Sequence, residues 1–176
     1  RYFDTLGVTP LIGRTFTPDD DRRGGGANGP VAVLSFGFWQ REFGGRPDAI
    51  GLTLTLDGLR VEVIGISKAG FNGVEVGLAI DVYVPLAMQQ EVQPTWGKRL
   101  GDWRSRWLVS MARLADGVSL DEARAEANVV YARLLHEDLA HIEGSSETQR
   151  QRFLQKKLEL HAGGRGTSGL RHECAT

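Results

Sequence analysis

The chain has 176 residues, 41% of them hydrophobic and 24% charged, with a formal net charge of -1. That balance gives no overall basic field of the kind that gathers nucleic acid. Cys174 is the single cysteine, so an intramolecular disulfide and a multi-cysteine zinc site are both excluded. No apolar run reaches the roughly 18 residues of a membrane helix.

The sequence starts on Arg1, as if in mid-element, and is expected to be cut from something longer. Tyr2, Phe3 and Leu6 stand at helical spacing, with Gly7 and Pro10 as stop signals. Thr17-Pro18-Asp19-Asp20-Asp21 reads as a helix start or turn. Arg22 to Pro30 is a glycine-rich connector, expected to be mobile. Val31 to Leu34 is a buried strand. Ser35 caps a short helix, Phe36 to Phe43, which carries Phe36, Trp39 and Phe43 on one side. Gly44-Gly45 ends it, and Pro47 to Ile50 makes a single turn.

The clearest local signal is Leu52 to Val63. Asp57-Gly58 between two alternating runs predicts a hairpin, because a type I′ turn needs φ > 0 at both central positions. A two-residue loop fixes the register: Leu56 opposite Leu59, Leu54 opposite Val61, Thr55 opposite Arg60 and Thr53 opposite Glu62. After Val63 the alternation breaks, since Ile64 and Ile66 are apolar where the solvent side is due. Either a bulge re-aims the strand or both of its faces are covered.

Gly70 to Gly73 reads as a tight turn, Asp81 to Pro85 as a short strand and Leu86 to Val92 as a short helix. Pro94 to Arg106 is a loop with Trp96, Trp103 and several cations. Trp107 to Leu114 alternates as a strand. Ser119-Leu120-Asp121-Glu122 is a capping box. It opens a helix that is expected to run to about Leu139, with Leu120, Ala123, Ala127, Val130 and Leu134 on one stripe. Leu158 and Leu160, preceded by Phe153 or Leu154, suggest a last strand. Gly163 to Gly169 reads as a linker, and 163–176 as a tail.

Reactive constellations are sparse. Asp19, Asp20 and Asp21 are adjacent carboxylates that point in different directions and read as a solvated helix start. His136 and His141 are five apart, not the four that puts two ligands on one helical face. Gly24 to Gly26 precedes a strand, whereas a phosphate loop follows one, and Gly163 to Gly169 lacks a GK[ST] ending. Ser35 sits between a strand and a helix but outside any GxSxG motif, and reads as a cap. Trp39 and Trp107 read as core. Trp96 and Trp103, beside Lys98, Arg99, Arg104 and Arg106, are the better candidates for a contact surface, against the plainer reading of a loop packed on its own domain.

The order of these motifs resembles a known family. Tyr2-Phe3-Asp4-Thr5-Leu6-Gly7 with Gly13-Arg14-Thr15-Phe16 resembles the opening of the MacB-like periplasmic domain of ABC-transporter permeases. Val31 to Ser35 with Phe38-Trp39-Gln40-Arg41-Glu42-Phe43-Gly44 is similar to the family's next block. Ile50-Gly51 with Leu54 to Ile66 resembles its hairpin. Phe71-Asn72-Gly73 and Asp81 to Pro85 follow in order, then Trp107 to Leu114 and the Ser119 helix. The resemblance covers about residues 2–162 and is closest to the large acidobacterial-type MacB-like permeases, which often lack a fused ATPase. Two departures stand out: the strand that the family carries before Tyr2 and the second membrane helix after Ala162 are not within these 176 residues, as expected of a chain cut from something longer.

The resemblance implies an α+β fold of two lobes. Residues 1–22 and 98–162 would form a porter-like α/β sandwich lobe, and 23–97 an inserted β-rich lobe. It implies a non-catalytic domain on the periplasmic or extracellular side of a bacterial inner-membrane parent, without a cofactor or metal. Cytoplasmic ATP hydrolysis, by a fused or separate ATPase, would be coupled to export or other periplasmic work. Partners would be a second permease subunit, most simply as a homodimer, and a periplasmic adaptor or lipoprotein. The loop with Trp96, Lys98, Arg99, Trp103 and Arg104 is the candidate partner contact. Two other functions stay open: a binding module that captures a lipid, peptide or small molecule between two lobes, and a hydrolase built on Asp19 to Asp21 with a histidine.

Overall fold

The computed structural model describes residues 2–102, 105, 107–142, 144, 146–164 and 166–167. Helices and a mixed sheet make it an α+β structure. The chain forms two compact units, one running up to Val109 and including Gly166 and Thr167, the other beginning at Ser110.

In the first unit, α1 (Tyr2–Leu6) leads into β1 (Pro10–Gly13), β2 (Val31–Leu34), α2 (Phe36–Phe43), β3 (Thr53–Leu56), β4 (Leu59–Ser67), β5 (Val82–Tyr83) and α3 (Gln89–Val92). The sheet is ordered β1-β4-β2-β5, with β3 also on β4. β2 and β4 are parallel, and every other pair is antiparallel. A parallel pair needs a crossover, and α2 with the Pro47–Ala49 turn supplies it.

The hairpin has the register read from its turn: Leu56 pairs with Leu59, Leu54 with Val61, Thr55 with Arg60 and Thr53 with Glu62. Asp57 at φ 45° and Gly58 at φ 87° are both left-handed, as a type I′ turn requires. Both outcomes foreseen beyond Val63 occur together. β4 is buried on both faces from Val63 to Ser67, and its pairing with β2 slips between Ala32 and Val33. Val63 and Ile66 consequently share one core cluster while Ile64 enters the other. Strict alternation would have put Ile64 and Ile66 together.

The sheet carries a core on each face. On one, Phe3 and Val8 pack with Val31, Val33, Ile64 and Tyr83. On the other, Trp39 of α2 packs with Leu34, Ala49, Val63 and Ile66. Ser35 Oγ accepts the Phe38 N–H at 3.1 Å to cap α2, and Gly44 at φ 61° ends it. The buried Trp39 indole N–H donates to the Arg46 carbonyl at 2.7 Å, so the ring is buried without an orphaned donor.

The second unit holds α4 (Leu120–Leu139) and α5 (Glu147–Leu154). The capping box at Ser119 and Glu122 forms in both directions. The stripe read from the sequence is shifted in the helix's second half. Val130 and Leu134 are exposed, and Leu135 is the buried residue of α4.

Two expected strands are corrected. Residues 107–114 have no regular structure, and Leu108 and Val109 are both exposed. Alternation makes a strand only where a neighbour takes up the backbone groups, and β pairing there is absent among the described residues. Phe153 and Leu154 lie in α5, which a second capping box, Ser146 with Gln149, opens. Leu158 and Leu160 are non-helical but do not pair as a strand. Side chains of α4 take their backbone groups instead: Asn128 bonds both the Leu158 N–H, at 2.8 Å, and its carbonyl, at 3.0 Å, and Arg124 donates to the Leu160 carbonyl.

Candidate interaction surface

Three short turns follow β5. A 3₁₀ turn over Leu86–Met88 runs into α3, a second covers Pro94–Trp96 and a third Arg99–Gly101. Proline at Pro94 presets the second turn. Gly97, at φ 67°, lets the chain reverse between the second and third. The Gln89 side-chain amide donates to the Gly97 carbonyl at 3.3 Å, which fastens this reversal to α3.

The sequence-predicted contact residues fall on these turns where they are described. The Arg99 guanidinium lies 4.8 Å from the Trp96 ring centroid, and its Nε donates to the Trp96 carbonyl at 3.3 Å. Trp96 also meets Trp107 edge to face, with centroids 5.9 Å apart. Trp107, read as core, instead braces this loop. Trp96 is 44% exposed, Leu100 46% and Leu86 43%. Lys98 is exposed as well. Among the described residues, Lys98 and Arg99 have no carboxylate partner. Trp103 and Arg104, the other two residues of the predicted contact, lie outside the described residues, as does Arg106.

The connector that precedes β2 is folded back rather than open. Asp20 is the centre of its fastening. Its carboxylate takes two bonds from Arg14, at 2.6 and 2.9 Å, and two from Thr17, backbone and hydroxyl, both at 2.7 Å. The Arg14 bonds, aided by those from Thr17, hold the Asp20 carboxyl at about 2, against the burial that pushes it up. Asp21 accepts the Ala87 N–H at 2.8 Å, and Arg23 bonds Gln90 and faces Glu91. Gly25 and Gly29 close successive turns on Arg22 and Gly26. The triple-aspartate stretch is thus a clasp between the connector and the Leu86–Val92 segment. Reading it as a solvated helix start missed this because the partners, Arg14 and Ala87, lie 6 and 66 residues away.

An open cavity of about 590 Å³ adjoins the clasp, lined by Gly13, Arg14, Asn28, Ile50, Glu62 and Ile64. Its lining offers a mixed pair of charges and two apolar side chains, with Arg14 already committed to Asp20. His136 bonds the Ala132 carbonyl within α4, and His161 approaches Glu159 at 3.4 Å. Among the described residues, no cluster of His, Cys, Asp and Glu could hold a metal ion, and no helix is long and apolar enough to cross a membrane.

No curated protein matches the chain. Solved structures that resemble it in part include two transporter domains. One is the extracellular domain of the noncanonical ABC-type transporter YknZ from Gram-positive bacteria, 28% identical with a TM-score of 0.38 over 51% of this chain and 41% of that one. The other is the periplasmic region of MacB from Actinobacillus actinomycetemcomitans, 17% identical with a TM-score of 0.49 over 76% of this chain and 52% of that one. The chain therefore spans about half or less of the length of each. The model of the MacB-like periplasmic core domain matches residues 1–130, nearly three quarters of the sequence. With that match the chain belongs to the MacB-like periplasmic core domain family.

Proposed function

We propose that the chain is the extracytoplasmic part of an ABC-transporter permease and acts mechanically rather than as an enzyme. The observation that carries this is the family match across residues 1–130. In this reading a fused or separate ATPase in the cytoplasm hydrolyses ATP, and the permease passes the resulting motion to the domain outside. The domain then works through contacts: with a second permease subunit, and with a periplasmic adaptor or lipoprotein. Residues 1–22 and 98–162 are the porter-like part in this reading, and 23–97 the inserted part. The two-sided core around β4 suits such a role, because a sheet packed on both faces transmits displacement with little internal give.

The test is made on the full-length permease with its ATPase in lipid nanodiscs. A spin label goes on Thr55→Cys, exposed on β3, in a Cys174→Ser background. The distance between the labels of two copies is measured without nucleotide and with ADP and vanadate. A shift between the two states is expected. Superimposable distance distributions would remove the coupling reading. In intact cells, failure of a membrane-impermeant maleimide to reach the same cysteine would remove the extracytoplasmic placement.

A further inference from the structure

We infer that the turns around Trp96 form a docking surface for a protein segment that presents carboxylates beside a bulky apolar side chain. The inference rests on the permease reading above and names the chemistry of its partner.

Three features point to such an occupant. The first is uncompensated charge. From Gln93 to Gly101 the chain carries Lys98 and Arg99 and no acidic residue, on a molecule whose net charge is -1. Neither cation has a carboxylate partner among the described residues. The second is exposed apolar area next to that charge: Trp96, beneath Arg99, and Leu100, which follows it, are each more than two fifths exposed. An isolated exposed leucine needs no explanation, but an exposed tryptophan with a cation held over its ring and an exposed leucine next to that cation in the chain is less ordinary.

The third feature is preorganisation. Trp96 is held between the Arg99 guanidinium and the edge of Trp107, and the turn beneath it is tied by Gln89. A side chain already ordered loses little freedom when it binds. Trp and Arg are the residue types that dominate binding energy at protein interfaces. Arg99 Nε is committed to the Trp96 carbonyl, which leaves the two terminal guanidinium nitrogens as the donors for a carboxylate, beside the part of the indole that stays exposed. A lipid surface fits less well. Two cations contribute only about 2 kcal/mol of attraction to an anionic membrane, and a tryptophan braced by Trp107 and Arg99 is not free to reach into headgroups.

The experiment places p-benzoylphenylalanine at Leu100 in the full-length permease in cells and sequences the photoadduct. The expected adduct is a protein segment with at least two carboxylates within a few residues of the crosslinked apolar position. Lys98→Glu with Arg99→Glu should lower its yield by about tenfold or more, as loss of paired interfacial charges does. Replacing the mapped carboxylates with lysine should restore the yield in that charge-reversed variant. Thermal melting of the 176-residue chain carrying both reversals checks that it still folds. An adduct only with phospholipid would assign the patch to the membrane and overturn the proposal. So would an adduct on a neutral or basic segment, a yield indifferent to charge reversal, or no adduct from a folded protein. The spin-label and maleimide measurements answer the permease reading separately. Label motion without an acidic adduct leaves that reading standing and removes this one; an acidic adduct on a protein without nucleotide-driven motion does the reverse.

Discussion

Arg14 and Asp20 meet through two parallel hydrogen bonds of 2.6 and 2.9 Å, with the aspartate side chain 7% exposed and the arginine 42%. The pair joins the end of β1 to a connector that otherwise has few apolar residues to anchor it. Asp20 titrates from 3.8 in the unfolded chain to about 2 in the folded one. Its carboxyl binds fewer protons when folded, so its contribution is fully present above pH 3.8 and is lost as pH falls toward 2. With the half-exposed arginine screened by solvent, that contribution is about 1–2 kcal/mol. Asp20→Asn should therefore lower stability by that amount at pH 7 and flatten the acid limb of the stability curve between pH 4 and about 2. Urea melts at a series of pH values read both effects. An acid limb unchanged in the variant would show that Asp20 is not the titrating group.

The same strand end makes a second demand. A Cβ at Gly65 would lie 2.1 Å from the Arg14 carbonyl oxygen, and one at Gly13 would lie 2.2 Å from the Ile64 carbonyl. Both obstacles are backbone, so neither can swing aside. Gly65→Ala should cost at least about 2 kcal/mol, in the range of mutations that force strain into a packed sheet. Gly37→Ala, with open space around the position, is the control and should be neutral or slightly stabilising, since alanine is the better helix former. Thermal denaturation of the two variants side by side gives the comparison.

Local chemistry made much of the first unit legible. Ser35, Gly44 and the Asp57-Gly58 pair act on neighbours a few residues away, so their turns and caps follow from spacing alone. The Ser119 capping box is legible for the same reason. Ser146 with Gln149 carries the same signature, although the alternation of Leu158 and Leu160 just beyond α5 suggests a strand that Phe153 and Leu154 would open. What spacing cannot give is the choice of partner at a distance. Asp20 finds Arg14, Asp21 finds Ala87, and Asn128 takes up the backbone of Leu158 where strand pairing was expected. Of the proposed contact surface, the residue types at Trp96, Lys98 and Arg99 are visible in the sequence, but the bracing of Trp96 by Trp107 is not. Alternation around Trp107 looks alike in a strand and in an irregular segment.

Asn128 provides a direct test of that substitution of side chain for strand. Its amide donates to the Arg124 carbonyl at 2.8 Å and to the Leu158 carbonyl at 3.0 Å, while its oxygen accepts the Leu158 N–H at 2.8 Å. Asn128→Ala should cost about 1–2 kcal/mol through the lost bonds. The more specific readout is local: hydrogen exchange at the Leu158 amide should quicken by about tenfold or more, while that of β4 amides in the other unit stays as it was. Asn128→Asp keeps the acceptor for the Leu158 N–H and should protect that amide better than alanine does. Equal exchange at Leu158 in all three proteins would mean that the side chain does not hold the segment.

Tyr83 gives a prediction of opposite sign. Its ring stacks on Phe71 at 5.8 Å and meets Phe3 edge to face at 5.2 Å, within the core on the α1 side of the sheet. Its hydroxyl is buried and has no hydrogen-bond partner among the described residues, and burial pushes its pKa well above the usual tyrosine value. A buried hydroxyl without a partner costs about 1–3 kcal/mol of lost hydration, whereas the ring contacts are indifferent to it. Tyr83→Phe removes the cost and keeps the rings, so it should be neutral or stabilise the protein by up to about 1 kcal/mol. Tyr83→Leu keeps some apolar volume but loses the stacking, and should destabilise by roughly 2 kcal/mol. The two variants together separate the hydroxyl from the ring. A Tyr83→Phe protein less stable than the parent in urea would show that the hydroxyl has a partner, and the packing of this core would have to be redrawn around it.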